Sequence, residues 1–233
     1  MGVGPGDPAL LHEAARALIA AADVVAGFAT VLAVVAPWIR GQRVELTYRN
    51  QERMLERLAA AVRIGRYGSP VVVAWGDPSI SGRQLVERVE AAFGAPARIL
   101  PGISALQLTL ARTGLAMEEV LFVTLHRRGD AAAALSEAAA TLAMGRRRVV
   151  ILPRPPDLGP SALAVRLQDA GVPGSTPAAV LERLSFADER AWQGDLATLA
   201  ACPKAFSDLS VVVLGEVRYH LQGQEGGGGS ASG

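Results

Sequence analysis

The 233-residue chain holds a single cysteine, Cys202, and a single lysine, Lys204. One thiol cannot form an internal disulfide framework or a thiolate metal cluster, and His12 and His220 have no ligand-like spacing to it. No apolar run reaches the roughly 20 residues of a membrane helix, and the amino end lacks the order of a signal peptide. The expectation is a soluble, cytoplasmic protein with no membrane partner. Positive charge is not in excess either. The net formal charge is +1, with 12 basic and 9 acidic residues before Ala116 and 11 and 13 from there on. Neither half has the basic surplus of a polyanion binder, so no nucleic-acid partner is expected. Nearly every cation is arginine, whose planar fork suits carboxylates and phosphates.

What is present is apolar and periodic. Half the residues are hydrophobic, enough to bury one large core or two smaller ones. In the first half, extended stretches at 24–26, 44–46, 71–74 and 97–100 alternate with amphipathic helical stretches at 8–22, 50–64, 82–93 and 104–113. That alternation predicts a parallel sheet covered by helices. The pattern restarts near Gly114. Strands are expected at 120–125 and 149–152 and helices at 130–144 and 160–170, then strand-like runs at 179–184, 190–194 and 209–214 on short connections, which implies a mixed sheet. The fold class is therefore α/β, with an amino-terminal parallel domain over 1–114 and a carboxy-terminal mixed-sheet domain over 115–221. The Gly/Ser-rich segment 222–233 has nothing to bury and reads as a flexible tail or an expression scar.

Three loops stand where chemistry is expected in such a sheet, beyond the strands' carboxyl ends. Gly2-Val3-Gly4-Pro5-Gly6-Asp7-Pro8 would let main-chain N–H groups reach a ligand without side chains intervening. It is not a dinucleotide fingerprint: Pro5 has no N–H, and almost no strand precedes it. Asp23, about 20 residues on, stands before a strand rather than after one, so it is read as a chance match to a ribose-binding acid. Trp75-Gly76-Asp77-Pro78-Ser79-Ile80 follows the 71–74 strand, and Asp77 is suited either to cap the next helix or to face a ligand. Trp75 reads as core. Pro101-Gly102-Ile103-Ser104-Ala105 opens a helix whose first N–H groups lack internal acceptors.

Together these loops resemble those of the tetrapyrrole methylases, two-domain enzymes that bind S-adenosylmethionine in a cleft between the domains. The stretches Gln107 to Leu115, Val123-Thr124-Leu125-His126-Arg127 and Ala187-Asp188-Glu189-Arg190 resemble the branch that methylates C5 of precorrin-6Y, or of cobalt-precorrin-7. The likeness runs over residues 2–217. It implies S-adenosyl-L-methionine as cofactor, held by Pro5, Gly76, Asp77, Ile80, Ser104, Ala105, Leu152 and Leu184, largely through backbone. It implies a corrin-precursor substrate, a homodimer, and a decarboxylating C15-methylating partner as a separate subunit or fused domain. The chain departs from the pattern in its short first strand, in Arg127 where glycine is usual, and in the proline-rich run 151–156.

Methyl transfer to carbon is an in-line displacement that needs positioning and exclusion of water. If a base is used, His126 is the candidate, since it sits beyond a strand of the second domain. Arg83, Arg127, Arg128 and Arg154 are candidates to hold the substrate's carboxylates. No metal ligand set is expected. Two other readings remain open: a ribosomal RNA ribose methylase of the same fold, and a non-catalytic cofactor-binding domain serving a fused partner.

Overall fold

The computed structural model describes residues 1–126, 129–155, 157–217 and 219. The chain divides into two compact units, one formed by Met1–Ala105 with Ser185–Ala187, the other by Leu106–Leu184 and the residues from Asp188. The division falls at the front of a helix over Ala105–Thr113, where the sequence pattern had suggested residue 114, after it. That helix is continuous, so no breaker marks the change of unit.

In the first unit, strand β1 (Val24–Phe28) lies between β2 (Gln42–Leu46) and β3 (Pro70–Val72), all parallel. Its residues Val24 to Gly27 are buried, as a central strand covered on both faces requires. The alternation of the strand splits the core. Val25 packs with Val3, Leu11, Ile19, Val31 and Val73, while Val24 and Ala26 pack with Leu46, Leu55 and Leu58.

The expected helix at 8–22 is two elements. A short 3-10 turn, Pro8–Leu10, is capped by Asp7, and α1 (Glu13–Ala21) is capped by His12, whose Nδ1 accepts from the Ala15 N–H. The apolar segment Ala29–Val35 forms α2, which the sequence pattern does not reveal because a short run of small and branched residues has no polar face. The amphipathic α3 (Gln51–Arg63) buries Leu55, Leu58 and Ala59. A single turn α4 (Pro78–Ser81) leads into α5 (Arg83–Phe93), which ends on left-handed Gly94. The expected strand at 97–100 is not regular. Instead the Leu100 carbonyl accepts the Gly2 N–H, and the segment from Met1 supplies the ladder beside Ala74.

The second unit carries most of α6 (Ala105–Thr113), β4 (Val120–Thr124), α7 (Ala132–Met144), β5 (Arg148–Leu152), α8 (Pro160–Asp169), β6 (Pro177–Glu182), β7 (Arg190–Asp195), α9 (Leu196–Ala200) and β8 (Ser210–Leu214). The sheet order is β4-β5-β8-β6-β7, with β4 parallel to β5 and the other pairings antiparallel. β8 sits at the centre and is wholly buried, consistent with its Val211-Val212-Val213 run; β7 is an edge and is mostly solvent-facing. Among the described residues no helix is long and apolar enough to cross a membrane.

Candidate cofactor site and its surroundings

The opening loop of the first unit is held mainly by its own backbone. Gly2 N–H donates to Leu100 O at 2.9 Å, Val3 N–H to Ala74 O at 3.0 Å, and Ala74 N–H to Met1 O at 3.0 Å. Gly76 N–H donates to Gly4 O at 2.9 Å, and Gly4 N–H returns a longer bond to Gly76 O at 3.4 Å. For Gly2 and Gly4 the expectation of N–H groups presented to a ligand is therefore corrected. Their amides pair with the neighbouring loops, and their lack of side chains serves close packing. A Cβ on Gly2 would fall 2.3 Å from Gly76 O and 2.8 Å from Gly102 N, and one on Gly102 would fall 2.5 Å from Gly76 O. Backbone meets backbone in both cases, so neither glycine's partners can turn aside.

This packing brings together the six first-unit positions expected to touch the cofactor. Pro5 follows Gly4, which is paired with Gly76. Gly76 has φ of 59°, a left-handed conformation that glycine alone adopts without strain. A Cβ there would lie 3.5 Å from Ser104 Cα and 3.8 Å from Ala105 N. Asp77 caps α4 through Oδ1, which accepts both the N–H and the Oγ–H of Ser79, and the Asp77 carbonyl accepts from Ile80 N–H. Ser104 is buried directly ahead of α6, and Ala105 begins that helix. The cradle above Gly76, bordered by the first turn of a nine-residue helix, offers main-chain donors to a carboxylate or a hydroxyl. Such a donor set fits the amino-acid and ribose portions of a nucleoside conjugate such as S-adenosylmethionine.

Asp23 stands at the opposite end of β1 and accepts from Gly68 and Ser69 N–H groups, a purely structural role. Trp75 packs partly against the core and meets Phe186 edge to face at a centroid distance of 5.9 Å. Arg83 is exposed and paired along its own helix with Glu87 at 2.8 Å.

The second unit holds the remaining candidates. Leu125 N–H donates to Leu152 O at 3.0 Å, which extends the β4–β5 pairing and sets His126 just beyond it. The His126 ring is hydrogen-bonded to the backbone of Pro153. His126 retains solvent exposure, yet the protein packed about its ring pulls its pKa below the usual histidine value, and the Pro153 bond offsets this only in part. The ring therefore favours the neutral state, with its tautomer set by the backbone contact.

The proline-rich turn is closed by reciprocal backbone bonds between Arg154 and Leu158. Its guanidinium forks onto Asp157 at 3.0 and 2.8 Å and also donates to Gly129 O at 2.9 Å, so the turn is tied to the loop that follows His126. Arg154 thus carries its own counter-ion, and that bond holds the Asp157 carboxyl below its usual value. Arg127 and Arg128 lie outside the described residues, as does the 222–233 tail.

Leu184 is buried between Arg183 and Ser185, whose φ values of 53° and 68° are the positive ones among described non-glycine residues. Backbone strain of this kind tends to gather at functional sites. Sequence reasoning missed both Ser185 and Phe186. Ser185 Oγ accepts the Asp7 N–H at 2.9 Å, and no local pattern connects residue 185 with residue 7.

Comparisons with known proteins agree with this layout. Residues 1–200 match the family model of the tetrapyrrole (corrin/porphyrin) methylases. A siroheme synthase of Neisseria meningitidis is 31% identical over 233 residues, covering 93% of this chain and 47% of that protein. One from Gluconobacter oxydans is 31% identical over 241 residues, covering 94% and 49%. The chain thus spans about half the length of the curated relatives it matches. Among solved structures, a uroporphyrin-III C-methyltransferase from Thermus thermophilus complexed with S-adenosylhomocysteine superposes with a TM-score of 0.71 at 27% identity, covering 93% of this chain and 95% of that one. The precorrin-6Y methylase of Archaeoglobus fulgidus shares the fold, with a TM-score of 0.65 at 24% identity over 92% and 96%. With its three loops packed into one backbone cradle and most of its length matched, the chain belongs to the tetrapyrrole (corrin/porphyrin) methylases, a family of S-adenosylmethionine-dependent C-methyltransferases.

Proposed function

We propose that this chain methylates a ring carbon of a corrin precursor, at C5 of precorrin-6Y or cobalt-precorrin-7. The observation that carries the methyl-donor half of the reading is the contact of Gly76 with Ser104 and Ala105, which gathers the expected donor-binding positions of the first unit. When bound, S-adenosylmethionine supplies an electrophilic methyl group. Pro5, Gly76, Asp77, Ile80, Ser104, Ala105, Leu152 and Leu184 would hold it. His126, kept toward its neutral form, is suited to accept a proton at a ring nitrogen as the substrate carbon is alkylated. Arg154 and Arg83, each already paired, together with Arg127 and Arg128, would meet substrate carboxylates.

The corrin assignment rests on the stretches at 107–115, 123–127 and 187–190. Uroporphyrin-III methylation is a second reading, favoured by the 27% identity to the Thermus thermophilus enzyme. A homodimer and a C15-methylating decarboxylase, as a separate subunit or a fused domain, accompany the corrin reading.

The test is to incubate the purified chain with labelled S-adenosylmethionine and, in parallel, a precorrin-6Y-type corrin, uroporphyrinogen III and ribosomal RNA. Methyl gain in the corrin alone is the expected result. Methylation of uroporphyrinogen III alone would overturn the corrin assignment, and RNA methylation would move the chain to another substrate class. Cofactor binding with no methylation of any acceptor would leave a binding domain.

A further inference from the structure

Three residues from the second half of the chain, Ser185–Ala187, belong by their contacts to the first unit. They touch the opening loop at two adjacent points. The Ser185 hydroxyl accepts the Asp7 N–H at 2.9 Å. The Phe186 ring covers Gly6 so closely that a Cβ on that glycine would fall 2.2, 2.5 and 2.6 Å from three of its atoms. The same ring meets Trp75, the residue before Gly76, edge to face.

The strap that makes these contacts is held in an unfavourable backbone shape. Left-handed φ at Arg183 and Ser185 is opposed by the usual Cβ clash and persists only where the surroundings enforce it. Arg183 supplies part of that enforcement, through its N–H to Leu209 O at 2.8 Å and its guanidinium to Asp188 at 2.7 Å. Gly4, Pro5 and Gly6, by contrast, bring little side-chain packing of their own. An opening loop so poor in side chains needs an outside surface to keep Pro5 in place, and the strap provides one.

We propose that Ser185 and Phe186 are positioning residues for the methyl donor: a clasp on the opening loop that sets Pro5 and Gly6 against the Gly76 cradle. This rests on the donor-binding reading above. Neither side chain needs to take part in the chemistry. The hydroxyl satisfies an amide that would otherwise lose its partner, and the ring fills the space that Gly6 leaves.

The clasp is tested with S-adenosylhomocysteine as the probe, by calorimetric titration of the full chain and of the variants Ser185→Ala, Phe186→Ala, Phe186→Leu and Phe186→Tyr. Ser185→Ala should weaken binding about five- to ten-fold, the worth of one partly buried hydrogen bond. Phe186→Ala should weaken it by about ten-fold or more, Phe186→Leu by less, and Phe186→Tyr should restore it, since the ring and not the residue is required. Ligand-induced change in Trp75 emission, read with Trp38 and Trp192 replaced by phenylalanine, should fall in Phe186→Leu and return in Phe186→Tyr, a readout that a general loss of stability does not reproduce. Should Phe186→Ala fail to fold, Ser185→Ala and Phe186→Leu carry the same test. Unchanged affinity in variants that fold overturns the clasp. A wild-type chain that does not bind the probe overturns the donor reading itself, so the two failures are distinct.

Discussion

Replacing Gly102 by alanine tests the close meeting of the three loops most directly. The added Cβ would lie 2.5 Å from Gly76 O, 2.9 Å from Gly2 C and 3.1 Å from Gly2 Cα. All three are backbone atoms, so no rotamer change relieves the contact, and either the opening loop or the Gly76 loop must shift. Forced insertion of a methyl group into packed structure costs about 1–3 kcal/mol. For a chain of this size each kcal/mol lowers Tm by about 2–4 °C, so a fall of about 2–12 °C is expected. Because Gly76 is one of the atoms' owners, S-adenosylhomocysteine affinity should fall as well. Gly145→Ala serves as the comparison. That glycine caps α7 at φ of 66° with no atom within 4 Å of a Cβ, so alanine brings conformational strain without a clash. It should lower Tm by a few degrees and leave affinity unchanged. Thermal denaturation with and without the ligand, alongside calorimetry, measures both effects. A Gly102→Ala chain with wild-type Tm and wild-type affinity would refute the packing argument.

Three further outcomes are expected. Burial alone would raise the Glu182 carboxyl, but Arg190, Lys204 and the Ser207 N–H outweigh it and bring its pKa from 4.5 to about 2. The stability this provides, at most about 3 kcal/mol, is complete above pH 4.5 and lost as pH falls toward 2, and acid unfolding of Glu182→Gln should lack that component. Thr109 is fully buried and its hydroxyl has no partner among the described residues, so Thr109→Val should be neutral or slightly stabilising in urea unfolding; a loss of more than about 1.5 kcal/mol would mean the hydroxyl is bonded. With its pKa lowered by burial, His126 stays unprotonated to below the ordinary 6.5, so the acidic limb of kcat/KM should fall under that value and vanish in His126→Gln, while S-adenosylhomocysteine affinity persists. Equal turnover by His126→Gln and wild type would remove the residue from the proton-transfer role.

Much of the architecture could be read from periodicity because it follows from local chemistry. The strand at 70–72, the helix at 51–63 and the Val-rich strand at 210–214 each announce themselves by composition and spacing. Helix α9 escapes because five residues are too few for a period to emerge, although Asp195 and Thr198 cap it reciprocally. Loop sequence likewise marked out Gly76, Asp77, Ser104 and Ala105, since glycine and capping residues ahead of helices are local signals. The use of the opening glycines was misread. Whether an amide faces a ligand or a neighbouring strand depends on what lies across from it, and Ala74, Gly76 and Leu100 lie far along the chain.

By itself, then, the sequence determined two α/β units, a parallel and a mixed sheet, and three glycine-bearing loops, because helix and strand periods and turn chemistry act over a few residues. Only the tertiary structure decided that the three loops share one backbone cradle and that Ser185 and Phe186 close on Asp7 and Gly6. Those outcomes depend on contacts between residues distant in the chain, such as Ser185 and Asp7, 178 positions apart, for which no local propensity exists.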